Sequence, residues 1–142
     1  MPARSSHARW EGDLRGGKGT MSLASGAFEG QYSFSSRFEE GTGTNPEELI
    51  AAAHAGCFSM ALASGLERAG YPPTSVDTTA RVHFERVEGG FRIARIELDC
   101  TAEVPGIDEA TFAEQAETAK ANCPVSQALA AVDIELTAQL ST

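Results

Sequence analysis

Three cysteines, Cys57, Cys100 and Cys123, are the side chains best able to do covalent chemistry in this sequence. The thiolate is the reactive form of cysteine, and its surroundings decide how much of it exists at neutral pH. Cys57 lies in Ala53-His54-Ala55-Gly56-Cys57-Phe58-Ser59-Met60. In such a run it is either a nucleophile or a small buried thiol, because free cysteine packs like a small hydrophobe. Cys123 is followed by Pro124. Proline suits the first turn of a helix, which leaves Cys123 at or near the N-cap, where amides and the macrodipole favour a thiolate. An inert N-cap filler remains open as the other reading, although serine or aspartate caps better. Cys100 keeps phase with Ile96, Leu98 and Ala102 and reads as core.

His54 stands one turn before Cys57, which invites a cysteine–histidine nucleophile or a metal site. At ~100° per residue it points about 60° around the helix from Cys57, so a polar residue at a seam between helices is the favoured reading. A zinc centre needs four ligands, or three and a water. Only Cys57, Cys123 and His54 are at hand, with no C-x-x-C or H-x-x-x-H spacing, so no metal and no cofactor is expected. His83 alternates with Asp77, Thr79, Arg81 and Glu85 and belongs to a solvated strand face. Glu47 and Glu48 fall in a helix's first turn, where negative charge is favourable. One glutamate completes a capping box, which leaves Glu47 available for another role.

The elements that must position these groups follow from periodicity. Trp10 to Leu14, Gly19 to Leu23 and Gln31 to Phe38 read as short strands between glycine-bearing turns. The third sets Tyr32, Phe34, Ser36 and Phe38 on one face and Ser33, Ser35 and Arg37 on the other. Asn45-Pro46 opens a long helix, about Glu47 to Ala69, that ends at Gly70-Tyr71-Pro72-Pro73. Ser75 to Val87 and Phe91 to Val104 form a hairpin through Glu88-Gly89-Gly90. The apolar phase of the second strand shifts, which predicts a bulge near Ala94. Asp108 caps a helix over Glu109 to Ala121, a short helix follows Pro124 to about Ala131, and Val132 to Leu140 alternates as a last strand. Hairpins segregated from helices mean an α+β fold with antiparallel sheets. The long helix is apolar around much of its circumference and should be buried centrally. One small sheet cannot wrap it, which points to a homodimer with two such helices packed together.

With 142 residues the chain is expected to form one domain, 1–142, large enough for a core without a staple. The net charge of −9, from 11 basic and 20 acidic residues, disfavours nucleic acid and anionic membranes. No uninterrupted apolar run approaches a membrane span of ~20 residues, and the start lacks the apolar core of a secretory signal. An odd, sparse cysteine count does not suit a secreted disulfide framework, so a cytoplasmic protein is expected.

The segments Gly43-Thr44-Asn45-Pro46-Glu47-Glu48-Leu49, Ala52-Ala53-His54-Ala55 with Cys57-Phe58-Ser59-Met60-Ala61-Leu62, and Lys120-Ala121-Asn122-Cys123-Pro124-Val125-Ser126 resemble the OsmC/Ohr family, and within it the OsmC branch. The likeness runs over essentially the whole chain. It implies an OsmC-like fold, antiparallel sheets around long central helices in an intertwined homodimer, and a peroxiredoxin-like enzyme that reduces organic hydroperoxides without metal or haem. By that resemblance Cys57 matches the peroxidatic cysteine and Cys123 the resolving one. Arg37 matches the arginine that activates the thiolate, and Glu47 the glutamate that holds it. Small dithiols, notably lipoyl groups on proteins, are the implied reductants. Apolar neighbours such as Phe38, Phe58 and Met60 would favour bulky organic peroxides. A stress-induced dimer that binds a hydrophobic ligand and a redox sensor without turnover are the competing readings.

Overall fold

The computed structural model describes residues 1–141, which fall into two compact units, Met1–Leu49 and the chain from Ile50 onward. The first unit is a three-stranded antiparallel meander, β1 (Ser6–Glu11), β2 (Lys18–Leu23) and β3 (Glu29–Tyr32), in the order β1-β2-β3. The expected first strand thus begins four residues early, and Leu14 lies in the turn. The rings of Trp10 and Tyr32 meet at 5.4 Å. They close over Gly19, where a Cβ would stand 2.5 Å from the Tyr32 ring and 2.7 Å from that of Trp10.

The strand expected from Gln31 to Phe38 stops at Tyr32, and Phe34–Phe38 is a short helix, α1. Serine chemistry overrides the alternation. The Ser36 amide donates to Ser33 Oγ at 3.1 Å, and the Ser33 amide donates to Ser36 Oγ at 2.8 Å, a reciprocal capping box. Phe34 and Phe38, two apart on a strand face, become i and i+4 neighbours on a helix and stack at 4.8 Å.

The second unit holds most of α2 (Pro46–Arg68), β4 (Ser75–Val87), β5 (Gly90–Glu103), α3 (Glu109–Asn122), α4 (Pro124–Ala128) and β6 (Asp133–Leu140). Asn45 caps α2 as expected, with the Glu48 amide donating to Asn45 Oδ1 at 2.7 Å. β4 and β5 pair antiparallel, and the register skips from His83↔Arg95 to Phe84↔Ile93. Ala94 is therefore the extra residue of a bulge, where the phase shift put it. β6 pairs parallel to β5, an exception to the expected antiparallel sheets. α3 and α4 supply the crossover that a parallel return requires.

The core alternates along β5 through Ile96, Leu98, Cys100 and Ala102, and takes Phe58, Leu62 and Leu66 from α2, Phe112, Ala116 and Ala119 from α3, and Cys123. α2 is long and apolar enough, by length and composition, to cross a membrane. Its polar groups that face inward answer to protein partners instead: the partly buried Ser59 Oγ pairs with Thr78 Oγ1 of β4 at 2.7 Å, and the buried His54 with Ser126 at 2.8 Å. The helix is not buried all round as expected, since Ala52, Ala53, Gly56 and Met60 are exposed, Met60 at 77%.

One buried hydroxyl holds α1 in place. Ser36 Oγ also donates to the Thr44 carbonyl at 2.7 Å, just ahead of α2. Ser36→Ala removes that donor and the acceptor for the Ser33 amide, and strands both partners in a largely dry place. The expected cost is about 2 kcal/mol of stability, read as a lower urea midpoint at unchanged slope.

Candidate active site

Two pairs of chemically competent side chains form, one in each unit. In the first unit α1 carries Arg37 in its last turn and α2 carries Glu47 in its first. The intervening loop is clasped by Ser36 Oγ on the Thr44 carbonyl and by Asn45 Nδ2 on the Ser36 carbonyl at 3.0 Å. Gly43 turns beneath it at φ +123°, where a Cβ would lie 2.6 Å from the Gln31 carbonyl oxygen. So held, Arg37 donates Nε to Glu47 Oε1 at 3.1 Å and Nη2 to Oε2 at 2.9 Å. This fork is the geometry guanidinium and carboxylate favour. The glutamate is nearly dry, its side chain 9% exposed, while that of Arg37 is 35% exposed. Glu48 accepts from Thr44 Oγ1 at 2.7 Å rather than from the Asn45 amide, so the expected capping box is only half formed.

Arg37 also borders a pocket of about 220 Å³ walled by Trp10, Leu14, Tyr32, Phe34 and Phe38. It is apolar on most sides with one cation at its edge. Of the three apolar neighbours expected around the chemistry, Phe38 lines this pocket, whereas Phe58 is fully buried in the core and Met60 is open to solvent.

In the second unit Cys57 and Cys123 meet although 66 positions separate them. Pro124 explains where Cys123 sits. Lacking an N–H, proline cannot continue α3, so Cys123 closes α3, its amide on the Ala119 carbonyl at 2.9 Å. The same residue opens α4, its carbonyl accepting from the Gln127 amide at 3.0 Å. All three cysteines are free thiols.

The two facing thiols are unequal. Burial pushes the Cys57 thiol up, and donation to Cys123 pushes it further, against one backbone hydrogen bond from Val125. Burial also opposes ionisation of Cys123, but the Cys57 thiol, the Ser126 amide and hydroxyl and the Val125 amide together outweigh it and bring Cys123 below the ordinary thiol range. The Cys123 side chain makes no regular N-cap hydrogen bond, so these amides act mainly as oriented dipoles. Access runs the opposite way: Cys57 is half-buried and Cys123 fully buried. Cys100 lies in the core as expected, its thiol pushed up by burial.

His54 stands where α2 meets α4, a seam between helices of the same chain. It is fully buried, Nε2 is 2.8 Å from Ser126 Oγ, and Nδ1 has no hydrogen-bond partner. Burial lowers its pKa, which keeps the ring neutral. Ser126 had drawn no attention from sequence. The signal lay in two equal spacings, His54 to Cys57 on α2 and Cys123 to Ser126 at the head of α4. No group of three or more histidine, cysteine, aspartate or glutamate side chains that could hold a metal occurs among the described residues.

The model of the OsmC-like protein family matches residues 39–137. The peroxiredoxin OsmC of Escherichia coli is 54% identical over 136 residues, 95% of this chain and 94% of that protein. An organic hydroperoxide resistance protein of Xanthomonas axonopodis is 34% identical over 99 residues, 68% of each chain. The crystal structure of an organic hydroperoxide resistance protein OsmC from Legionella pneumophila superposes with a TM-score of 0.70 at 22% identity, covering all of both chains, which shows the fold. On the matched span, the identity to the first relative and the shared architecture, this chain belongs to the OsmC family.

Proposed function

We propose that the chain is a thiol-dependent peroxidase that reduces organic hydroperoxides to alcohols. The observation that carries the reading is the meeting of Cys57 and Cys123 as free thiols, one accessible and one ionisable, in a chain 54% identical to a peroxiredoxin. The Cys57 thiolate attacks the terminal peroxide oxygen. The O–O bond breaks, the alkoxide leaves and is protonated to the alcohol, and Cys57 becomes a sulfenic acid. Cys123 condenses with it, releasing water and forming the Cys57–Cys123 disulfide. A dithiol donor, of the kind carried by lipoyl proteins, reverses that bond by thiol–disulfide exchange. A reducing cytoplasm suits such a cycle. No step needs a metal or cofactor.

Access decides which cysteine meets the peroxide. Cys123 is the easier thiolate but fully buried, so Cys57 is the attacking group and needs an activator. Arg37 supplies it: a guanidinium stays charged, stabilises a thiolate and donates to peroxide oxygens. The aromatic pocket beside Arg37 favours a hydroperoxide with a bulky apolar tail over hydrogen peroxide.

The Arg37–Glu47 pair comes from a second copy of the chain. Glu47 and Cys57 are ten residues apart on α2, which runs unbroken through Gly56. A continuous helix sets their backbones about 15 Å apart along its axis, too far for one arginine to serve both comfortably. The exposed stripe Ala52, Ala53, Gly56 and Met60 is the surface against which a second α2 packs in a homodimer.

Mixing the protein with cumene hydroperoxide and a dithiol should give catalytic consumption; a ligand-binding protein gives none, and a sensor one equivalent. Cys57→Ser should abolish turnover. Cys123→Ser should leave Cys57 oxidisable but poorly recycled, and Cys100→Ser should be nearly silent. Mass spectrometry after peroxide treatment should find the Cys57–Cys123 linkage within one chain. A Cys100-containing bridge as the main product would overturn the mechanism.

The two-chain site has its own test. Arg37→Ala chains and Cys57→Ser chains, each inactive alone, are unfolded, mixed and refolded. Heterodimers should regain one complete site, up to half the activity of the wild-type dimer. No recovery in demonstrated heterodimers would place the whole site within one chain.

A further inference from the structure

His54 and Ser126 form a hydrogen-bonded pair beside the thiols that the reaction described above does not use. His54 and Cys57 are three apart on α2; Cys123 and Ser126 are three apart at the head of α4. The two short segments meet in two rungs, thiol against thiol and imidazole against hydroxyl. Histidine, serine and resolving cysteine are all buried, so water does not compete for their hydrogen bonds.

The proton count fixes a direction along the second rung. A serine hydroxyl has one proton, and a neutral imidazole has one N–H. Ser126 stands three residues after Cys123 at the head of α4, and its hydroxyl favours the Cys123 thiolate, which makes it the donor toward sulfur. Its only proton then lies toward sulfur, and the 2.8 Å contact to His54 must be filled by Nε2–H donating to Ser126 Oγ. That tautomer leaves Nδ1 as a bare acceptor, which agrees with its lack of a partner; the other tautomer would strand an N–H in a dry place and turn the hydroxyl away from sulfur.

We propose that His54 is a positioning residue for the resolving step: by donating Nε2–H to Ser126 it turns the Ser126 proton onto the Cys123 sulfur and holds Cys123 as the thiolate that closes the disulfide. The inference rests on the peroxidase reading for what the thiolate does, though not for the hydrogen bonds that hold it. In that step the Cys123 thiolate attacks the sulfenic sulfur of Cys57. The S–S bond forms as the S–O bond breaks, and the hydroxide that leaves takes up a proton, equivalent to the one Cys123 had shed, to become water. The organic hydroperoxide is the oxidant, and no other co-reactant enters. Ser126 stabilises the charge before attack, and His54 acts only through Ser126.

Two measurements test this. In a Cys57→Ser, Cys100→Ser chain Cys123 is the remaining thiol, and its ionisation is followed by thiolate ultraviolet absorbance with no peroxide present. His54→Leu and Ser126→Ala should each move the midpoint to higher pH, and together no further than Ser126→Ala alone. In the otherwise wild-type protein, each should slow disulfide closure in a single turnover by about tenfold, the size of one lost hydrogen bond to a charged group. His54→Gln should preserve both values, because its amide nitrogen reaches where Nε2 stood, whereas His54→Asn should not. The Gln and Asn pair keeps the comparison if the leucine variant fails to fold. An unchanged midpoint in the leucine or asparagine variant overturns the proposal, as does a His54 effect that persists undiminished without the Ser126 hydroxyl. If the wild-type protein consumes no hydroperoxide, the peroxidase reading fails while the titration still decides the role of His54.

Discussion

One helix carries a member of each pair of groups that could react together. α2 carries Glu47, His54 and Cys57, and each is met by a different element: Glu47 by Arg37 of α1, His54 by Ser126 of α4, Cys57 by Cys123 at the α3–α4 joint. A helix of alanine, leucine and methionine suits this work. Its backbone hydrogen bonds are satisfied internally, so it keeps its helical shape where one side is buried. Its few polar side chains have partners on other elements or on the helix itself, or are exposed. Ser59 takes Thr78, His54 takes Ser126, and Ser64 accepts from Arg68 at 2.6 Å on the same helix.

The same rigidity separates two requirements of thiol chemistry that a single position rarely meets. A nucleophile must be reachable, and it must be ionised. Cys57 is the reachable one, and burial together with its neighbouring thiol works against its charge. Cys123 has the amides and hydroxyl that favour charge but no access. A one-cysteine enzyme would have to resolve this conflict at one sulfur. Two facing cysteines divide it, and in the proposed mechanism the accessible partner takes its activation from an arginine that arrives with its own carboxylate.

Much of this was legible in the sequence, for identifiable reasons. Strong periodicity gave β4, β5 and their bulge at Ala94, because a phase change along an amphipathic strand has one cheap structural solution. Asn45-Pro46 and Asp108 announced their helices through capping chemistry that acts over three residues. The segment from Ser33 to Phe38 misled because its alternation fits a strand while its two serines, three apart, close a capping box. Six residues cannot separate those readings; the bond from Ser36 to the Thr44 carbonyl, eight positions on, decides between them. The parallel β6 was hidden for a similar reason, since alternation reports which side chains face inward and not the strand's direction. The pairing of His54 with Ser126 spans 72 positions, and no local pattern in the sequence predicts it.

In the proposed mechanism, geometry rather than net charge explains why the activating group is an arginine held by a glutamate. Placing a carboxylate against a cation weakens the attraction that cation offers a thiolate, so Glu47 is a poor choice if charge alone matters. What the pair gains is orientation. The two bonds from Nε and Nη2 to Glu47 hold the plane of the guanidinium, and a planar group with its plane held can aim donors at a defined point. An ammonium has no such plane, and its charge would follow whichever acceptor came nearest. The dryness of Glu47 strengthens the hold, because a carboxylate with little water around it has few alternatives to the fork. The Ser33–Ser36 box fixes α1, and Gly43 lets the loop pass close to β3. These small polar devices hold the two ends of the fork in register, so the direction of one guanidinium depends on two serines and a glycine that never touch the chemistry.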